Sequence, residues 1–154
     1  MSKPHAAFSI RPLQTDDLGA ISRVHWHASR IAYRFMNWSY SEDEVHDWYA
    51  GKLHEWDWGR VVCEGGTVVG FIAAHRAHVD QIFVDPDHQG AGLGSALMTA
   101  FLDRGLRPAT LHVFARNVPT RALYERYGFR EVDAWWNERD GAVELLYRLE
   151  WPHF

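Results

Sequence analysis

The chain has 154 residues, 47% hydrophobic and 23% charged, with a formal net charge of −4. That describes an ordinary globular protein with room for a real core, expected as one domain over 1–154 with its folded body over about 8–150. Slight acidity without a Lys/Arg run excludes nucleic acid as the main partner, and one cysteine excludes an intramolecular disulfide framework and suits a reducing compartment.

No stretch approaches the roughly 20 apolar residues that span a bilayer, and Met1 to His5 carry no apolar signal core. A cytoplasmic protein with no membrane partner is expected.

Residues 7–12 alternate at period two and predict a first strand. Thr15 or Asp16 then caps a helix whose apolar residues (Leu18, Ile21, Val24, Ala28, Ile31, Phe35) recur near the 3.6 period. Ser41 and Glu44 form a capping box for a second helix, with Val45, Trp48, Tyr49, Leu53 and Trp56 on its buried face. The pattern then turns to β. Residues 61–64, the Gly65-Gly66 turn and residues 68–74 read as a hairpin, and 78–84 as a further strand.

After a glycine loop comes a helix carrying Leu93, Leu97, Phe101 and Leu102, ending near Gly105. Residues 110–115 form another strand, Asn117 caps a helix with Pro119 in its first turn, and Gly128 ends it. Residues 129–135 and 143–149 supply the last two strands. The order β-α-α-β-β-β-α-β-α-β-β predicts an α/β fold with a mixed sheet and helices on both faces.

The loop between strand and helix holds glycines at 90, 92 and 94. Glycines there let a backbone approach a ligand, and a helix N-terminus favours an anion such as phosphate. The loop ends Gly94-Ser95-Ala96 without the lysine of a Walker loop, and its spacing is not that of a dinucleotide fingerprint.

The pattern Gln89-x-x-Gly92-x-Gly94, preceded by Ile82-Phe83-Val84-Asp85-Pro86, resembles the acetyl-CoA loop of the GNAT-type N-acetyltransferase superfamily. The run Asn117…Leu123-Tyr124-Glu125-Arg126-Tyr127-Gly128-Phe129 resembles that family's second signature, with Thr120 where alanine is commoner. The resemblance implies the GNAT-like acyl-CoA N-acyltransferase fold, acetyl-CoA as cosubstrate and no metal. It implies that the backbone of Ile82, Phe83 and Val84 pairs with the pantetheine arm. The amides of Gln89, Gly90, Ala91, Gly92, Leu93, Gly94 and Ser95 would hold the pyrophosphate. Asn117 would contact pantetheine, and Tyr124 would sit near the thioester sulfur as acid. The expected reaction is direct attack by a small-molecule primary amine in a ternary complex. A protein or peptide amine, or a non-catalytic acyl-CoA sensor, is the alternative. The resemblance leaves the oligomer open, homodimers being common in the family.

A lysine-like amine near pKa 10.4 costs about 4–5 kcal/mol to deprotonate at neutral pH, so a base is useful. His78 and Asp80 are expected on one face of the strand that ends in Ile82 and Val84, since alternate residues share a face, and His112 stands opposite in face to Leu111 and Val113 on the neighbouring strand. Relatives carry Glu or His at such positions, and all three residues are candidates. The oxyanion donor is expected around Phe83 or Val84. Trp26, Arg30 and Tyr33 lie in the region that forms much of the acceptor site in the family; Trp26 and Tyr33, seven apart, would share a face. His25 and His27 do not face the same way on a helix, and no Cys/His spacing matches a zinc site.

Overall fold

The computed structural model describes residues 7–151. Its core is one seven-stranded sheet in the order β1-β2-β3-β4-β5-β7-β6. The strands are β1 (Phe8–Pro12), β2 (Trp58–Glu64), β3 (Thr67–His75), β4 (His78–Val84), β5 (Ala109–Phe114), β6 (Arg130–Asn137) and β7 (Ala142–Leu149). The helices are α1 (Leu18–Ala32), α2 (Glu42–Lys52), α3 (Leu93–Leu102) and α4 (Val118–Arg126). The predicted element order is therefore the observed one, with short 3₁₀ turns added. Among the described residues, no helix is long and apolar enough to cross a membrane.

Helices cover both faces, as the mixed pattern requires. On one face Leu93, Leu97, Met98 and Phe101 of α3, with Tyr124 of α4, pack on Ile72, Val79, Leu111 and Tyr147 of the sheet. On the other, Ile21 and Val24 of α1 and Val45 and Tyr49 of α2 pack on Val61, Cys63 and Phe71. Each fully buried side chain of this kind contributes roughly 1.5–3 kcal/mol.

The helix boundaries differ from the sequence pattern for local reasons. The start of α1 is displaced to Leu18 because residues 15–17 form a 3₁₀ turn, in which Asp17 accepts from the Gln14 amide and from Arg11 of β1. The α1 helix stops at Ala32, so Phe35 falls outside it. The Ser41/Glu44 capping box opens α2 as read. The helix ends at Lys52 and a 3₁₀ turn carries Leu53; Val45 and Tyr49 are buried, but Trp48 is 44% exposed.

Two features of the sheet position the site. Every strand pair is antiparallel except β4–β5, which pairs only at His78↔Thr110 and Val79↔Leu111. Beyond Val79 the two strands diverge, and the rest of that edge of β4 is open. The second is a bulge: Gln81 pairs with Ala73 but Val79 with Ala74, leaving Asp80 as the extra residue of β4. Val79 therefore shares a core with Ile82 and Val84, which strict alternation would forbid. The expectation that His78 and Asp80 face with Ile82 and Val84 is corrected by that one inserted residue. Both turn to the α1/α2 side.

Of the C-terminal tail, Glu150 and an exposed Trp151 are described; residues 152–154 lie outside the described residues.

Candidate active site

The gap between β4 and β5 opens into a cleft of about 1010 Å³, bordered by β4, the glycine loop, β5, α1, α2, α4 and the β6–β7 turn. One half is made largely of backbone. The Asp85 amide donates to Val69 of β3, and the Phe83 carbonyl lies against Gly70 of β3. Since successive residues of a strand direct their N–H and C=O to opposite edges, Ile82 and Val84 direct theirs into the gap. Gln89 Nε2 donates to the Val84 carbonyl at 3.1 Å, tying the loop to the strand's end. This leaves the Val84 N–H and both backbone groups of Ile82 toward the cleft, whereas Phe83 directs its own toward β3.

The loop folds as a strand-to-helix turn because Gly90 and Gly92 take φ of 87° and 78°, a left-handed backbone that a side chain would strain. The first intrahelical bond of α3 runs from the Ala96 amide to the Gly92 carbonyl at 3.0 Å, so the amides of Leu93, Gly94 and Ser95 precede the helical ladder. All three residues line the cleft with Gln89, Gly90 and Gly92; Ala91 is exposed on the outer side of the turn. These open backbone donors and the open edge of β4 fit a long ligand with an amide-bearing arm and an anionic end.

Asn117 sits at the cap position of α4, but its side chain makes no capping bond and lines the cleft instead. Tyr124, in the last turn of α4, also lines it, its ring packed near Phe129 and Tyr147. Burial raises the Tyr124 hydroxyl well above the ordinary tyrosine range, so it stays protonated at neutral pH.

The other half is built of side chains. Asp80 and His112 line it; His78 does not, its Nδ1 lying 2.7 Å from Thr110 Oγ1 behind them. Burial, then the neighbouring His112, lowers the His78 pKa. Asp80 accepts from Trp56 Nε1 at 2.8 Å and lies 3.8 Å from Lys52 Nζ, so it is already committed. His112 stacks edge-on to His78 and Trp135, at 5.0 and 5.3 Å between centroids, and its Nδ1 lies 3.7 Å from Glu144 Oε1. Glu144 is a site residue that the sequence did not single out; it lies on β7, brought beside His112 by the β5–β7 pairing. No motif marks it, and only that register reveals it.

The acceptor candidates separate. Tyr33 lines the cleft, with Phe114 at 5.2 Å between centroids. Trp26 and Arg30 do not: Trp26 donates to the Tyr40 carbonyl at 3.1 Å, Arg30 stacks on it at 4.3 Å, and both line a shallow depression outside the cleft. The cause is the end of α1 at Ala32, after which Tyr33 departs from the helical spacing that would align it with Trp26. His25, which the sequence did not single out as a site residue, lies in the wall with its ring centroid 4.2 Å from that of Phe83, and its Nδ1 is hydrogen-bonded to the Tyr49 hydroxyl. Burial lowers its pKa to about 3, so it is neutral.

Among the described residues, His27, Asp85 and Asp87 bring their ligand atoms close enough to share a cation. The His27–Asp85 contact at 3.3 Å and the turn bond from Asp87 to Asp85 account for that grouping without one.

A model of the acetyltransferase (GNAT) family matches residues 22–129. An uncharacterized N-acetyltransferase of Methanocaldococcus jannaschii is 32% identical over 143 residues, covering 82% of this chain and 62% of that protein. A mycothiol acetyltransferase of Clavibacter michiganensis is 40% identical over 102 residues, covering 64% of this chain but 27% of its own length. The chain thus spans less than two thirds of these curated relatives. A spermidine N(1)-acetyltransferase of Vibrio cholerae is 28% identical, with 95% of each chain covered. Among solved structures, the ribosomal-protein-S18-alanine N-acetyltransferase of Escherichia coli superimposes with a TM-score of 0.72 at 24% identity, covering 93% of each chain. A Salmonella typhimurium protein solved with its cofactor acetyl-CoA superimposes at 0.69 with 23% identity, covering 94% of each chain. With more than half its length matched by the family model, the chain belongs to the acetyltransferase (GNAT) family.

Proposed function

We propose that this protein transfers the acetyl group of acetyl-CoA to the primary amine of a small molecule, by direct attack within a ternary complex. The observation that carries this reading is a single cleft joining two chemically different halves. The open edge of β4 and the amides at the start of α3 face one half; His112, Glu144 and Tyr33 face the other. Direct attack is favoured because Cys63, the chain's one cysteine, is buried in the core beside Val61 and Phe71, leaving no thiol in the cleft to carry an acyl group.

When bound, acetyl-CoA supplies an acyl carbon already activated as a thioester. The outward backbone of Ile82 and Val84 orients the pantetheine arm, the amides of Leu93, Gly94 and Ser95 bind the pyrophosphate, and Asn117 contacts the arm. The Val84 N–H, open to the cleft, donates to the developing oxyanion. Tyr124 holds its proton until the leaving sulfur needs it. His112 receives the proton of the amine, oriented by Glu144; Asp80, already engaged by Trp56 and Lys52, is held from that task.

Relatives are named for both small-molecule and protein acceptors, spermidine and peptidyl-lysine among them. The small-molecule reading rests on the ring-walled recess described below. The test is thiol release from acetyl-CoA across a panel of amines, with acetyl-CoA binding measured in parallel. Binding without thiol release on any amine would favour a sensor.

A further inference from the structure

The acceptor half of the cleft has a wall of rings. His25 lies 4.2 Å from Phe83 and 6.0 Å from Trp38 between centroids; Tyr33 lies 6.3 Å from Trp38 and 5.2 Å from Phe114. Trp48, on the first helix turns of α2, extends the wall to the mouth and keeps 44% of its surface exposed. Large apolar side chains left open to a cleft are a binding surface rather than a core.

Charge narrows what this surface takes. Five carboxylates line the cleft: Glu44, Asp47, Asp80, Asp140 and Glu144. Asp80 is paired with Lys52 at 3.8 Å, and Asp140 with Arg139 at 3.2 Å. Glu44 closes the capping box through the Ser41 amide, and Asp47 is 87% exposed at the rim, where solvent screens it. Glu144 differs. Its side chain is 16% exposed and lies beside His112, and among the described residues no Lys or Arg is within salt-bridge distance of it; its other oxygen accepts from Asn137 Nδ2 at 3.2 Å.

We infer that the acceptor is a monocationic arylalkylamine: one ammonium drawn to Glu144 beside His112, and a flat aromatic body lying against Trp48, Trp38 and Tyr33. This rests on the acetyltransferase reading above and narrows its substrate class. One half-buried carboxylate without a Lys or Arg in salt-bridge contact matches one ammonium. The further charges of a polyamine would meet only carboxylates already engaged, by Lys52, Arg139 or the Ser41 amide, or screened at the rim. Ring faces and edges, by contrast, reward an aromatic body over an alkyl chain of similar size.

The experiment measures thiol release from acetyl-CoA with 2-phenylethylamine, an n-alkylamine of similar size, spermidine and a lysine-containing peptide. The arylalkylamine is expected to exceed each of the others in kcat/KM by about 10-fold or more, the discrimination a shaped apolar pocket supplies. Faster turnover of spermidine or the peptide would overturn the aromatic class while leaving the acetyltransferase reading intact. Acetyl-CoA binding without thiol release on any of the four amines would overturn both. A second measurement uses the exposed Trp48, whose removal leaves no buried cavity. Trp48→Ala is expected to raise KM for 2-phenylethylamine about 3- to 10-fold and for the n-alkylamine less than about 2-fold, from the loss of one ring contact. An equal rise for both amines would overturn the proposal.

Discussion

The two halves of the cleft present different kinds of group. On the side proposed for the cofactor the groups that face the gap belong to the main chain: the edge of β4 beyond Val79 and the first amides of α3. On the side proposed for the acceptor they are side chains delivered by α1, α2, β5, β7 and the segments between them. A backbone site depends on chain path, so it tolerates changes of side chain and fails when φ is altered. A side-chain site is indifferent to the path's details but fails one residue at a time.

That contrast sets the largest expected effect on the acceptor side. His112→Ala should lower kcat/KM by about 100-fold or more, the usual worth of a positioned base, with acetyl-CoA affinity unchanged in calorimetry. Added imidazole should restore part of the rate. Equal activity of the variant would move the base elsewhere or assign deprotonation to solvent. Next, Tyr124→Phe should lower kcat about 10- to 100-fold, within the range for a general acid whose leaving group is already a good one. Acetyl-CoA affinity should again hold; unchanged turnover would reduce Tyr124 to a wall of the cleft.

Why one half was legible in the sequence and the other was not follows from the same contrast. Chain path leaves local marks: Gly90 and Gly92 at φ-positive positions, a strand that stops at Val84, a helix pattern that begins at Leu93. Each was readable within a window of a few residues. Glu144 and His112 are 32 residues apart, and only strand pairing makes them neighbours. The bulge at Asp80 left no mark either, since no glycine or proline signals it, and one inserted residue reversed the facing of His78 and Asp80 relative to Ile82 and Val84. The separation of Trp26 from Tyr33 has the same origin: a helix end read by periodicity a few residues too late.

A smaller effect tests the backbone half. At Gly92 a Cβ would meet nothing within 4 Å, yet φ is +78°. Gly92→Ala therefore adds no clash and isolates the conformational cost, about 1–2 kcal/mol for a left-handed residue with a side chain. Acetyl-CoA Kd should rise by about 5- to 30-fold where the loop relaxes away from that path. Gln89→Ala removes one hydrogen bond and keeps the amides, so its effect on Kd should be the lesser of the two; a larger one would show that side chains, not backbone, hold the ligand.

The smallest effect concerns the wall of rings and its charge. His25 has its pKa lowered to about 3 by burial, against an ordinary value near 6.5 in the unfolded chain. Below pH 6.5 the unfolded state thus binds a proton that the folded state refuses, and stability falls as pH falls. The contribution is complete above about pH 6.5 and declines by at most about 1.4 kcal/mol per pH unit below it. Because His25 borders an open cleft, solvent reduces that slope. Denaturant unfolding at pH 7.0, 6.0 and 5.5, before most carboxylates titrate, measures it. His25→Phe keeps a ring against Phe83 and removes the proton site, so its stability should vary less over that window even though Tyr49 loses its hydrogen-bond partner. Equal slopes for the two proteins would mean that the wall admits a charged imidazole.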